Sequence, residues 1–400
     1  MFIPRQIQAA FDMRAAHYPA VALVGARQAG KSTFLQECAK TGDANYATFD
    51  DPDARRMFES DVKKFDKQFL EGHVRTILDE AHLADGAGPK IKYLLDKGRK
   101  LWLSSSSEKI LGREVLGHLV GRISILRLYP FSLPEFLSAR QIIEPTPQML
   151  QRTIWEQVVW GSYPKVVTTQ GADAKAVLLS DLRQTLLLRD ITQVFSISDI
   201  RPLEDLSRIL AHQKGGLVSY ESLCSQLDLS FVTLKKYLDA MEAAYLILRV
   251  RPFYRNKAKE INKQAKIYFL DTGMRNAIAG QFPKQIEGEG MLFENYVLGE
   301  LVKLDLDVSH WRTRGGAEVD FIVRNQEDVI PIEVKMTGGP DEIPTGLRAF
   351  VAEYRPKNAL VVSYHGEAGE RQLDETKIRY VDALEMIRIL GPIRPVGPGI

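Results

Sequence analysis

Cysteine is nearly missing from this sequence: its 400 residues include two, Cys38 and Cys224, far apart and in no CxxC or Cys/His grouping. That excludes a disulfide framework and a structural zinc site, and it suits a reducing cytoplasm. Long hydrophobic runs are missing as well. The opening MFIPRQIQAAF has no apolar stretch of signal-peptide length, and no run of about 18 apolar residues occurs anywhere, so a cytoplasmic chain without a membrane span is expected. The third absence is an excess of one charge. With 53 Lys and Arg against 51 Asp and Glu, the net charge is +2, and a polyanionic partner has to be argued from local clusters.

What is present is an ordinary globular balance, 45% apolar and 26% charged. At about 150 residues per domain, this length suggests two to four domains. Between residues 20 and 130, the runs AVALVG, NYATFD, RTILDE, KLWLSS and ISILRL alternate with more polar stretches of helix length. This rhythm predicts an α/β domain with a parallel sheet, helices on both faces, and ligands at the carboxyl ends of the strands. Residues 135 to 210 carry Leu, Arg, Gln and Asp at helical spacing, interrupted by WGSYP, and predict a helical connector or lid. From 218 to 250 the pattern is a short helix, a turn at Asp228 to Ser230, a second helix and a β-rich segment, which predicts a helix-turn-helix with a wing. The region from about 285 to 390 returns to mixed α/β, and GPIRPVGPGI closes the chain as a Pro/Gly-rich tail. The expected boundaries are 1–137, 138–205, 206–275, 276–390 and 391–400.

The run AVALV leads straight into Gly25, Ala26, Arg27, Gln28, Ala29, Gly30, Lys31 and Ser32, a GxxxxGK(S/T) pattern, and then into the helical TFLQECAK beginning at Thr33. Strand before and helix after are the context a phosphate-binding loop requires. The glycines let successive N–H groups turn toward phosphate oxygens, and the positive end of the helix adds to them. Lys31 is placed for the β- and γ-phosphates and the Ser32 hydroxyl for Mg²⁺. RTIL ends in Asp79 and Glu80, where Asp79 can hold the Mg²⁺ and Glu80 can orient and deprotonate the attacking water. KLWL ends in Ser104 to Ser107, with Ser104 the simplest γ-phosphate sensor. ATP and Mg²⁺ are the expected cofactors.

The P-loop, the LDE strand end, the polar strand end, LVGR (119–122) and LYPFSLPEF (128–136) together resemble a branch of the AAA-type ATPases of bacteria and archaea. In that branch the ATPase precedes a winged helix and a domain like restriction endonucleases. The resemblance runs to about residue 390, with one departure: the family commonly has Thr or Ser followed by Gly-Ser where this chain has Ser104, Ser105 and Ser106. It also implies an arginine finger from a neighbouring subunit, for which Arg122 is the candidate, and with it a homo-oligomer.

Downstream, residues 249 to 266 hold seven Lys or Arg against the single acid Glu260. Beside a helix-turn-helix, such a cluster points to DNA. Lys235, Lys236, Arg251, Arg255, Lys257 and Lys259 would meet phosphates, and Phe253 and Tyr254 would offer stacking faces. In the last region, a hairpin turning at Gln326 and Glu327 would set Asp320 opposite Glu333, with Lys335 on the same face and Ile332 and Val334 toward the core. Two carboxylates and a lysine at one spot are a kit for metal-assisted phosphodiester hydrolysis. The arrangement resembles the PD-(D/E)xK nuclease motif, which implies Glu294 as a further metal-ligating acid. A regulatory ATPase with a catalytically silent last domain is the alternative reading.

Overall fold

A computed structural model describes residues 2–40, 42–106, 111–112, 115–191, 197, 199–213, 217–253, 265–285, 288–325 and 328–391. Met1–Phe131 with Tyr163–Lys165 and Ala243–Tyr245 form one compact unit. Ser132–Ser162, Val166–Glu242 and Leu246–Ile400 form the other.

In the first unit the five apolar runs become β1 (Ala20–Val24), β2 (Ala44–Thr48), β3 (Arg75–Asp79), β4 (Leu101–Ser105) and β5 (Ile123–Arg127). They pair in parallel throughout, in the order β2-β3-β4-β1-β5. The lack of polar alternation in AVALV has a direct cause, since each face of β1 is covered. Ala20, Ala22 and Val24 pack with Leu78, Leu101 and Leu103 on one side. Val21 and Leu23 pack with Phe11, Phe34, Ile77 and Trp102 on the other. β1 lies between β4 and β5, one strand in from the edge, so its carboxyl end opens between two neighbours.

The second unit carries an eight-stranded mixed sheet. Its strands are β6 (Ile247–Pro252), β7 (Lys266–Phe269), β8 (Val308–Arg312), β9 (Glu318–Asn325), β10 (Asp328–Gly338), β11 (Asn358–Gly366), β12 (Gly369–Leu373) and β13 (Thr376–Val381), in the order β12-β13-β11-β10-β9-β8-β6-β7. The helix Gly290–Lys303 is apolar on most of its surface and is buried accordingly. Its Leu292, Phe293, Val297 and Leu301 join Ile332, Leu360 and Val362 of the sheet and Ile154 and Val158 of the helix Pro147–Trp160 in one core.

Two features differ from the sequence-based expectation. The helix Pro147–Trp160 of the expected connector shares the core of the last region. The expected wing also does not stand apart: β6 and β7 pair antiparallel, but β6 continues into a parallel pairing with β8 through Arg251 and Pro252. The free edge of β6 is satisfied by this longer sheet, because an unpaired row of backbone donors and acceptors is a liability. The helix-turn-helix pattern itself takes shape as helices Tyr220–Leu227 and Phe231–Ala243, with Asp228 in the left-handed conformation that ends the first. The turn at Gln326 and Glu327 and the tail from 392 lie outside the described residues.

Candidate functional site

In the first unit, the chain leaves β1 through Gly25 at φ +150° and enters the helix Lys31–Ala39 through Gly30 at φ +97°, with Gln28 also at positive φ. The loop is tied from within. Lys31 Nζ donates to the carbonyls of Gly25 and Ala26 at 3.0 Å each, and its charge is held among loop carbonyls. Arg5, buried over the Phe131 ring, donates to Ala29 O at 2.8 Å and to Tyr129 O at 2.6 Å. Ala26 and Ala29 are buried with it, Arg27 is half-buried, and Gln28 and Thr33 are exposed.

Opposite the loop, the carboxyl ends of β3 and β4 converge on Asp79, which is buried. Ser32 Oγ donates to Asp79 Oδ1 at 3.0 Å, and Ser104 Oγ donates to the same oxygen. Tyr46 of β2 donates to Asp79 Oδ2 at 2.5 Å, and burial, helped by this carboxylate, pushes its phenol well up. Glu80 is next, at φ +52°, with its N–H bonded to Ser104 Oγ at 3.0 Å. Its carboxylate accepts from Ser106 N at 3.3 Å and lies 3.2 Å from Nδ1 of His82. That nitrogen is hydrogen-bonded with Ser105 Oγ at 3.0 Å, so the ring is fixed by the end of β4 and stands beside Glu80. Burial lowers the His82 pKa, against the raising effect of Glu80, and the ring stays neutral near pH 7.

The structure therefore brings Lys31, Ser32, Asp79, Glu80 and Ser104 together as the motifs require. Three partners carried no motif signal: Arg5, Tyr46 and His82. For Tyr46 the available hint was its place in a strand run, two residues before that strand's end. Arg122 is not drawn to this site. Its carbonyl accepts from Ala20 N at the amino end of β1, and its guanidinium pairs with Asp96, so its candidacy as a finger concerns a neighbouring chain alone.

Because His82 Nδ1 stands 3.2 Å from the Glu80 carboxylate and 3.0 Å from the hydroxyl of Ser105, His82→Ala is expected to lower kcat for ATP about tenfold and leave KM within about twofold, the effect of removing one positioning contact. His82→Asn, whose amide can replace Nδ1, should restore most of it. Steady-state ATPase kinetics check both; equal loss of rate in the two variants would show that His82 supports the fold and not Glu80.

The second unit gathers a different set. Its register pairs Phe321 with Ile332, and one further step sets Asp320 against Glu333. Asp320 Oδ2 accepts from Val334 N at 2.8 Å, and Lys335 Nζ lies 2.7 Å from Glu333 Oε1. Burial, then the charges of Glu294 and Glu333, push the Asp320 carboxyl well above its ordinary range. Burial also raises Glu333, with Lys335 opposing. Three residues absent from the expected set stand here. Lys266 Nζ is 2.5 Å from Glu318 Oε1 and 3.5 Å from Glu294 Oε1, and Tyr268 donates to that same Glu294 oxygen at 2.5 Å. Alternation in KIYF puts Lys266 and Tyr268 on one face, and only the pairing of β7 in the larger sheet shows that this face is internal. Glu333 also borders a cavity of about 1190 Å³ with Lys335, Glu318, His365 and Tyr380.

The Mg²⁺ expected at the two sites fits them unequally. In the first unit a hydroxyl and a carboxylate already face each other across 3.0 Å, a fitting hard-oxygen pair beside a phosphate loop. In the second, among the described residues, no three His, Cys, Asp or Glu side chains are grouped closely enough to hold a metal. Glu294, Asp320 and Glu333 have oxygens committed to Tyr268 and Lys266, to Val334 N, and to Lys335. One oxygen of each is so engaged and Glu333 Oε2 has no partner among the described residues, so it is the wide grouping, with the Lys266 ammonium against Glu294, that does not fit a metal.

The expected DNA surface is partly redrawn. Lys235, Lys236 and Arg251 are exposed, with Phe231 and Val232 exposed at the start of the same helix as the lysines. Arg249 is taken up by Asp239 and Glu242, and Lys266 is internal. Phe253 offers no stacking face: it is buried against Phe350 and Tyr354, with the Arg324 guanidinium 4.8 Å from its ring centroid. Tyr254, Arg255, Lys257 and Lys259 lie outside the described residues.

Comparison with known proteins adds the class. Residues 17–137 match the family model described as an AAA domain, which supports a P-loop AAA-type ATPase in this part of the chain. Residues 151–285 and 289–383 match two models described as domains of unknown function. An uncharacterized protein of Mycobacterium tuberculosis is 28% identical over 385 residues, covering 92% of this chain and 81% of the relative. Another, from Methanocaldococcus jannaschii, is 24% identical over 374 residues, covering 87% and 83%. Among solved structures, the Walker-type ATPase of Pyrococcus abyssi matches at 13% identity and TM-score 0.48, covering 69% of this chain and 96% of that one. The ORC2 protein of Aeropyrum pernix in its ADP form matches at 13% identity and TM-score 0.33, covering 67% and 90%. Among the described residues, no helix is long and apolar enough to cross a membrane.

Proposed function

We propose that the protein is an ATP-hydrolysing, DNA-associated ATPase in which the first unit turns over nucleotide and the second binds DNA. The observation that carries the first half is the constellation around Asp79: a P-loop serine and a strand-end serine on one carboxylate oxygen, with Glu80 bonded to the same strand end. Ser32 and Asp79 would hold Mg²⁺, which supplies charge to offset the β- and γ-phosphates. The protein's own groups do the rest. Loop N–H groups and Lys31 bind the phosphates, and Ser104 orients the acids. Glu80, held by Ser106 N and flanked by His82, takes a proton from the water that attacks the γ-phosphorus as ADP leaves.

DNA as partner is supported by Lys235, Lys236 and Arg251, exposed on the second helix of the helix-turn-helix and on the adjoining strand. Replacing the three by Ala should weaken duplex binding and lower the slope of log affinity against log salt by about 0.9 for each phosphate that is no longer neutralised. Fluorescence anisotropy at several salt concentrations measures both. Unchanged affinity and slope would remove DNA from this surface and favour a protein partner, which exposed Phe231 and Val232 would suit.

For the last region, a binding module that does not cut is favoured over a nuclease by one observation: the internal Lys266 pairs with Glu294 and lies in the field of Asp320, two of the acids expected to hold metal.

A further inference from the structure

We propose that Lys266 is the resident cation of the carboxylate cluster in the second unit, standing where metal-dependent chemistry would need a divalent ion, so that this unit engages its partner without metal. The inference rests on the reading of that unit as a non-cutting module and gives it a physical basis.

Lys266 is placed by the strand and not by chance contact. All four residues of β7 are buried, and Lys266 and Tyr268, two apart, share the face on which both meet Glu294, with the Tyr268 ring in the core. Lys266 is 5% exposed, and an ammonium so far removed from water persists only against opposite charge. Glu318, at 2.5 Å, and Glu294, at 3.5 Å, provide it, and Asp320 adds its field. The relation also runs the other way. Four carboxylates, Glu294, Glu318, Asp320 and Glu333, occupy one region, and like charges this close are unfavourable without cations among them. Lys266 and Lys335 supply those cations from within the chain, each at a short distance from a carboxylate. A divalent ion entering the cluster would have to displace a buried ammonium or share its ligands with it, and two cations at such range repel strongly in a medium of low dielectric. Metal and Lys266 are therefore alternatives. Among the described residues Glu333 Oε2, although buried, has no hydrogen-bond partner, and Glu333 borders the cavity of about 1190 Å³.

The test is Mn²⁺ binding by the full chain without nucleotide, followed by the electron paramagnetic resonance of free Mn²⁺. Wild type, Asp320→Asn and Glu333→Gln are expected to give the same isotherm. Lys266→Met, which keeps the length of the stem and removes the charge, should gain one site about tenfold or more tighter than any in wild type. Lys266→Met combined with Asp320→Asn should lose it, and Lys266→Arg should not gain it. A wild-type site abolished by Asp320→Asn or Glu333→Gln would overturn the proposal, as would a folded Lys266→Met that binds no more tightly. Should Lys266→Met fail to fold, the comparison of wild type with Asp320→Asn still decides. DNA affinity measured with Mg²⁺ and in EDTA is the separate arm: affinity lost in EDTA alone would overturn metal-free engagement, whereas no affinity in either would count against the reading of the unit as a DNA-binding module while leaving the Mn²⁺ result to judge Lys266.

Discussion

Glu80→Gln is expected to leave ATP bound and to slow its hydrolysis by about 10² to 10⁴-fold, the usual range for removing a positioned general base. The amide keeps the shape of the side chain and an oxygen for Ser106 N, so the loop and Asp79 should be undisturbed. What it loses is the capacity to take the proton. Lys31→Ala should behave differently, weakening nucleotide binding itself, because the charge facing the phosphates is gone. Single-turnover hydrolysis alongside nucleotide titration separates the two effects. Wild-type turnover in Glu80→Gln would assign the base to another group.

Gly25→Ala should be the most damaging small substitution in the first unit. A methyl there would lie 2.0 Å from Leu128 O and 2.9 Å from Leu128 C, at a φ of +150° that side chains rarely adopt. The obstacle is backbone, and it cannot retreat freely because Leu128 N is bonded to Val24 O at 2.8 Å. A cost of about 3 kcal/mol or more follows from overpacking joined to strain, equivalent to a fall of about 10 °C in the unfolding temperature of a unit this size. Gly42→Ala is the matched control, because a methyl there meets nothing within 4 Å. Thermal unfolding of the two variants checks the contrast; equal Tm values would mean that the loop yields easily.

The first unit was legible because its signals are local. A strand, a glycine-bounded loop and a helix follow one another in sequence, and LDE marks its own strand end. Arg5, Tyr46 and His82 were not legible, since what they do depends on which strands become neighbours, and a P-loop pattern does not say that β2 lies beside β3. The hairpin register around Asp320 could be read from the spacing of two strands. The position of Lys266 could not: a lysine ending a basic run reads as solvated until β6 and β7 are seen to join the larger sheet and carry it inside. Phe253 misled for the same reason, an aromatic beside cations whose strand turns it into the core.

ATP turnover by the first unit, coupled to DNA on the second, stands or falls with the steady-state ATPase rate of the full chain. That rate is to be measured with and without single-stranded, duplex and branched DNA, with Glu80→Gln as the blank. The expected rate lies above the blank, rises with at least one form of DNA, and falls back as salt is increased. A rate no greater than that of Glu80→Gln, or one indifferent to every DNA at low salt, would be incompatible with a DNA-coupled ATPase.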